Sequence, residues 1–357
     1  MRRQARAAIR RLRTGVVPTW QFGSLSVGYG PVKEIVGRSL VDLEGSGCAA
    51  PLFVRGEWGT GKSHLLSFVR SSAAREGFVC ARVDLNARSF ALSHPQRFLP
   101  ALTDDMSCLG HEGIRAIIYA ALDDAVKRQR LQECALTGTV ADLRWSLFDL
   151  HARYQEGERI ELGNHPAWRI LQGADLAWSD HVSKREKALQ RIQSLAVLCR
   201  SLGWKGLVLL FDEAETVDQL WNVRSRLSAY SVLHRLCGMR GVWCIVGITD
   251  RFQRTVNGDF GYAASNNLLE SPAGQFLRRW RAGDVRIVDP PKVDGIGART
   301  LARAVASLYG TAYEQLRNSE GIVDRCLTEW KRNPMRNPRR LVRLLIHTLD
   351  TARALDL

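Results

Sequence analysis

The chain has 357 residues, 45% of them hydrophobic and 24% charged, a balance that excludes a disordered chain and fits a soluble globular protein with one large core or two smaller ones. The longest strongly apolar run, 207–211, is far too short to cross a bilayer, and residues 1–13 are basic without the apolar segment of a secretory signal, so a cytoplasmic protein is expected. The formal charge is +15 and 43 of the 51 basic residues are Arg; such an excess attracts polyanions through guanidinium forks, but it also follows from codon usage in a GC-rich genome, and both readings stay open.

Residues 1–13 place Ala5, Ala8, Ile9 and Leu12 at helical spacing, with Gly15 as a C-terminal stop and Pro18 beyond it. A basic helix with a single apolar stripe is expected to dock on its own domain rather than on nucleic acid. Residues 22–40 then combine a Gly/Ser/Pro loop, placed where such loops wrap a nucleotide base, with a helix ahead of the first core strand. The apolar run 49–54 leads into Gly56, Glu57, Trp58, Gly59, Thr60, Gly61, Lys62 and Ser63, which meets G-x-x-x-x-G-K-[ST] at every fixed position. Glycines allow successive N–H groups to converge on a phosphate, and a helix over about 63–69 aims the positive end of its dipole at the same anion. Lys62 is expected to reach the β- and γ-phosphates and Ser63 to ligate Mg²⁺, with His64 completing the nucleotide-binding stretch.

A second strand, 78–85, ends near Asp84 and Asn86, and a long helical region, 95–202, broken by a polar stretch near 155–166, is expected as an insertion that carries family-specific contacts. The strand 206–215 delivers Asp212 and Glu213 at the carboxyl edge of a buried sheet: Asp212 to hold the Mg²⁺ hydration shell, Glu213 to orient and polarise water. The strand 241–250 ends in Thr249 and Asp250, and a polar side chain there lies beside the γ-phosphate if this strand is inserted between the two that bear the nucleotide motifs. Residues 276–291 supply a basic turn, a short last strand and a Pro-Pro boundary, and helices follow at 298–310 and 337–350, the latter with Leu341, Leu344, Leu345 and Thr348 on one face. The eight cysteines contain no C-x-x-C pair and indicate neither a zinc site nor a disulfide framework.

On these motifs the sequence resembles the AAA+ ATPases of the initiator and clamp-loader type. "VRGEWGTGKSHLL", "LGWKGLVLLFDEAE" with its Glu215, "ITDRF", the "VDPP" boundary and "AIRRLRTGVVP" resemble, more narrowly, the ATP-binding proteins of BREX bacteriophage-defence systems. The resemblance implies an α/β core with a parallel five-stranded sheet, a helical insertion between its second and third strands, and a small C-terminal helical lid. The corresponding divisions are an N-terminal helix and loop at 1–40, the core at 41–291 and the lid at 292–357. It also implies Thr249 as first sensor, Arg339 in "NPRRL" as second sensor, and Arg278 or Arg279 as an arginine finger acting on a neighbour's site in a homo-oligomer. Two departures stand out: Thr249 replaces the asparagine common in other AAA+ groups, and some 18 residues follow Arg339 where initiators carry a winged-helix domain. The expected function is a Mg-ATP-dependent ATPase acting as motor or switch with DNA and other defence proteins. The alternative is a slowly hydrolysing, nucleotide-gated scaffold. A GTPase is disfavoured, since no N-K-x-D motif occurs and the acidic pair is not D-x-x-G.

Overall fold

The computed structural model describes residues 1–15, 25–137, 140, 142–155, 166–174, 182–314, 316, 318–333 and 337–356. Pro18, positions 22–24 of the Gly/Ser/Pro loop and most of the polar break near 155–166 lie outside the described residues. The helices are α1 (Arg2–Arg13), α2 (Gly30–Ser46), α3 (Lys62–Arg75), α4 (Pro95–Asp105), α5 (Gly113–Asp123), α6 (Ala125–Thr137), α7 (Arg144–Gln155) and α8 (Pro166–Leu171). They continue with α9 (Lys184–Ser201), α10 (Val223–Cys237), α11 (Asp250–Ser265), α12 (Pro272–Ala282), α13 (Gly295–Tyr313), α14 (Ser319–Arg332) and α15 (Pro338–Asp356). The strands are β1 (Leu52–Arg55), β2 (Val79–Asp84), β3 (Ser107–Cys108), β4 (His111–Glu112), β5 (Leu207–Asp212), β6 (Val242–Ile248) and β7 (Arg286–Val288). The chain forms two compact units, one of Met1–Ile35, Arg55–Ser71 and Asp289–Leu357, the other of Val36–Val54 and Ser72–Val288.

The second unit is an α/β structure on a seven-stranded sheet in the order β4-β3-β2-β5-β6-β1-β7. The sheet is therefore mixed, which corrects the expected parallel five-stranded one. The five expected strands are present, and β2 with β5, β5 with β6, and β1 with β7 pair in parallel. The two additional strands form a hairpin antiparallel to β2. Its turn, Leu109 and Gly110, has positive φ at both positions (47° and 89°), the backbone that joins tightly paired strands. Strands of two residues are too short to show an alternating pattern, so "SCLGHE" carries no strand signature. The strand β6 does lie between β5 and β1, as the reading of Thr249 requires.

Every residue of β5 and β6 is buried, as unbroken apolar strands are when helices cover both faces. One continuous core joins the sheet to the insertion, with Ile114, Ile117, Ile118, Ala121 and Leu122 of α5 at helical spacing. On the other side Phe53 of β1 meets Trp280 edge-on at 5.0 Å, and Tyr230 stacks on Phe276 at 5.6 Å. Asp259 of α11 is buried beneath this cluster, accepting two hydrogen bonds from Arg226 (2.7 Å each) and one from the Tyr230 hydroxyl (2.9 Å).

The first unit has its own core. The apolar face of α1, Ala5, Ala8, Ile9 and Leu12, packs with Val305 and Tyr309 of α13 and with Leu341 and Leu345 of α15. The helix stops as its sequence indicates, with Gly15 at φ +79° and its N–H donated to Leu12. Arg13 grips Asp350 through two hydrogen bonds of 2.9 and 2.6 Å.

Asp259→Ala removes the carboxylate partner of a mostly buried guanidinium, leaving it the Leu220 carbonyl, and loss of one partner of such a pair costs about 3–5 kcal/mol. The unfolding free energy from urea denaturation, followed by the fluorescence of the buried tryptophans, is expected to fall by that amount with a lower midpoint, whereas Glu270→Ala, at a surface pair, leaves it nearly unchanged.

Candidate nucleotide-binding site

The loop 56–63 and the start of α3 lie in the first unit. Lys62 is the first residue of α3 and only 7% exposed, and its ammonium donates to the carbonyl of Gly56 at 2.6 Å and stands 5.8 Å from the centre of the Trp58 ring. To bring Gly56 over Lys62 the chain doubles back within six residues. Gly59 and Gly61 take φ +81° and +110°, a region costly for any residue with a Cβ. At Gly56 the reason is contact: a Cβ would stand 2.5 Å from Thr60 Oγ1, which with its own N–H caps the Glu57 carbonyl. Among the described residues the N–H groups of Gly59 and Gly61 have no protein acceptor. A desolvated ammonium, open amides and the positive end of a 14-residue helix together make an anion cradle of the kind that holds nucleotide phosphates. Ser63 is half-buried on the first turn of α3 and presents a hard oxygen, the donor Mg²⁺ prefers.

His64 shares a hydrogen bond of 3.0 Å with Ser26 Oγ, and its ring meets Tyr29 edge-on at 5.3 Å. Desolvation pushes its imidazole down to about 4, so the ring is neutral at physiological pH, and the same enclosure pushes the Tyr29 phenol up. Residues 25–29 therefore pack on the helix that follows the loop.

One contact was not legible as functional. The side chain of Asn337, from the "NPRR" start of α15, donates Nδ2 to the Trp58 carbonyl at 3.2 Å and accepts the Arg339 N–H on Oδ1 at 2.8 Å. It fills the space a side chain at position 59 would need, with Nδ2 2.2 Å from an added Cβ. Arg339 itself is exposed, its aliphatic stem running beside Gly15, and it is joined to the loop through this asparagine. Sequence reasoning took the arginine from "NPRR" and passed over the asparagine before the proline.

The remaining expected residues lie in the sheet unit. Asp212 ends β5 with its side chain 3% exposed; Oδ2 accepts from Arg82 at 2.9 Å and Oδ1 from the Glu213 N–H at 2.9 Å. Arg82, on the neighbouring strand β2, also bonds Asp84 at 2.8 Å and was not foreseen; its signal is a charged residue inside the apolar strand "VCARVD". Glu213 adopts φ 57°, ψ 33°, a left-handed conformation that costs a non-glycine residue about 1–2 kcal/mol and turns the chain sharply away from the sheet. Thr249 is buried at the end of β6 and caps α11, accepting the Phe252 N–H at 3.5 Å. Arg278 forks onto Glu270 at 2.8 and 2.9 Å, and Arg279 is half-buried on α12, close enough for its charge to bear on His234.

A family model described as "BREX system ATP-binding protein BrxC/D" matches residues 1–104 and 180–355. The chain belongs to the BrxC/D family. All the candidate residues lie inside the matched segments, whereas the hairpin β3–β4 and α5–α8 fall between them. The family is one of ATP-binding proteins of BREX phage-defence systems, which assigns ATP to this chain and makes other defence proteins its partners. No curated protein sequence matches the chain. Among the described residues no helix is long and apolar enough to cross a membrane.

Gly59→Ala is expected to expel the Asn337 side chain and strain the loop, weakening ATP binding measured by calorimetry at least tenfold. Gly59→Ala with Asn337→Ala removes the clash and recovers part of that loss, leaving the backbone strain of about 1–2 kcal/mol.

His64 gives a pH effect of defined sign. Between pH 6.5 and 4 the unfolded chain binds a proton at this position while the folded chain does not, so acidification through that window removes up to about 3 kcal/mol of stability. Denaturation of His64→Gln is expected to show a flatter stability profile over the same window.

Proposed function

We propose that this BrxC/D protein hydrolyses ATP with Mg²⁺, as an AAA+ P-loop ATPase serving as motor or switch in a BREX complex. The observation that carries the reading is the loop built around the buried ammonium of Lys62, together with the acidic pair that ends β5. Lys62 and the amides of Gly59 and Gly61 bind the β- and γ-phosphates. Ser63 would ligate Mg²⁺ and Asp212 would hold its hydration shell, and the ion, when bound, would neutralise charge on the phosphate oxygens. The Glu213 carboxylate accepts a proton from water as the water oxygen attacks the γ-phosphorus and the bond to the β–γ bridging oxygen breaks, giving ADP and phosphate. Placing Glu213 next to a paired Asp212 keeps the two acids in separate roles, and its left-handed backbone is the kind of local strain that gathers at functional positions.

Thr249 and Arg339 serve as the two sensors of the γ-phosphate, and Arg278 or Arg279 as a finger completing a neighbour's site in a homo-oligomer. Of the divisions at 1–40, 41–291 and 292–357, hydrolysis would move the lid, 292–357, against the core, 41–291. With a charge of +15 the protein binds DNA without sequence preference and works in the cytoplasm. A second reading, a scaffold that turns ATP over slowly, draws on the ion pair that already engages Asp212 with Arg82.

Lys62→Ala is expected to abolish ATP binding, and Glu213→Gln to preserve binding while lowering the hydrolysis rate by a factor of at least about 100. Phosphate release under saturating ATP checks both. Wild-type turnover in Glu213→Gln would remove Glu213 from the chemistry, and a wild-type rate close to that of Lys62→Ala, with ATP binding intact, would favour the scaffold.

A further inference from the structure

The first unit contains a cleft of about 690 Å³ formed where α15 faces the end of α1 and the last turn of α14. Its lining is basic: Arg339, Arg340, Arg343 and His347 follow one another along α15. Arg340, Arg343 and His347 are exposed, and among the described residues no carboxylate pairs with Arg340 or Arg343. The other cation of the cleft, Arg13, is consumed at its floor, where Asp350 takes two of its hydrogen bonds and also accepts one from Tyr309 at 2.8 Å. Burial alone would raise the Asp350 carboxyl, but the hydrogen bonds from Arg13 and Tyr309 outweigh it and hold the group below its ordinary value, so the floor is a charged, neutralised pair. With Glu329 as the other acid of the lining, a net positive charge remains on the rim of the cleft.

From Arg339 to His347 the helix rises about 12 Å, a length that spans several phosphates of one nucleic-acid strand at about 3.4 Å of axial rise each. The lining offers Leu344 half-buried and Ile346 buried, and no aromatic side chain. The lining holds no Phe, Tyr or Trp, the side chains that most often anchor a protein partner, while its planar guanidinium forks suit phosphodiester oxygens. We propose that this cleft is a docking site for the sugar-phosphate backbone of DNA, with Arg340 and Arg343 as the residues that contact phosphate. The assignment rests on the reading of the protein as a DNA binder and adds the place where the strand is held. Neither arginine has a role in the nucleotide site.

The test is fluorescence anisotropy of a labelled mixed-sequence duplex, measured with the full chain over a series of salt concentrations, for wild type and for Arg340→Ala/Arg343→Ala. Each phosphate contact contributes about 0.9 to the slope of log affinity against log salt, so the slope is expected to fall by roughly 2 in the double variant, with ATP affinity and thermal melting unchanged. Arg340→Lys/Arg343→Lys keeps the charge and is expected to keep the slope while binding more weakly. A double alanine variant that binds DNA with the wild-type slope overturns the cleft and leaves DNA binding elsewhere on the protein. Absence of wild-type binding at low salt overturns the DNA reading and this site with it. If a poly-glutamate peptide binds the wild type and is lost equally in the variant, the cleft takes an acidic protein instead.

Discussion

An ammonium group withdrawn from water is expensive, by several kcal/mol after relaxation, and the Lys62 side chain imposes that cost on the loop around it. The Gly56 carbonyl and the face of Trp58 offset part of it. For that carbonyl to turn toward the lysine, the backbone between them must pass through conformations open to glycine at 59 and 61, and a third glycine at 56 must leave room for Thr60. The three glycines are thus consequences of one charge, and the space left at position 59 is what allows Asn337 to seat the start of α15 on the loop. A site built around a buried positive charge is one that gains from an anion. Phosphate binding and loop geometry therefore share a physical origin.

The same reasoning, with the sign reversed, governs the end of β5. Asp212 cannot be left as a bare carboxylate at the end of a strand buried along its whole length, and Arg82 with the Glu213 amide supplies the compensation. The Glu213 amide turns back to meet Asp212 while its residue sits in the left-handed region. Two adjacent acids are thereby separated into one held by fixed partners and one on a strained turn. The division of labour proposed for them follows from backbone geometry rather than from residue type.

What the sequence revealed and concealed follows from the range of the interactions involved. The loop 56–63 was legible because its spacing is local, and so were the buried strands β5 and β6 and the apolar stripe of α1, each written in a few consecutive residues. The hairpin β3–β4 was not, since two-residue strands have no periodicity and the turn at Leu109 lacks the usual Asn or Asp. Arg82 and Asn337 were missed for a different reason. Their partners, Asp212 and Trp58, stand 130 and 279 positions away in the chain, and nothing at either end of such a pair marks the other. Arg278 is a third kind of case: the motif located it, but its partner Glu270, eight residues back, could not be read from the pattern.

The segment between the two parts of the family match, residues 105–179, is not an appendage. Its helices do not form a core of their own. Ile117, Leu122, Leu147 and Trp168 belong to the same buried cluster as Val79 and Phe211 of the sheet, and Phe98 just before the segment meets Phe211 at 5.5 Å. Arg191 of α9, inside the match, is buried and bonds both Asp142 and the Ile170 carbonyl within the segment. Removing the segment would take β3 from the edge of β2, open the shared core and leave that guanidinium without the acceptors it has there. Asp212 and Glu213 lie inside the matched residues, but the buried core behind the strand that carries them continues into helices that the family match does not cover.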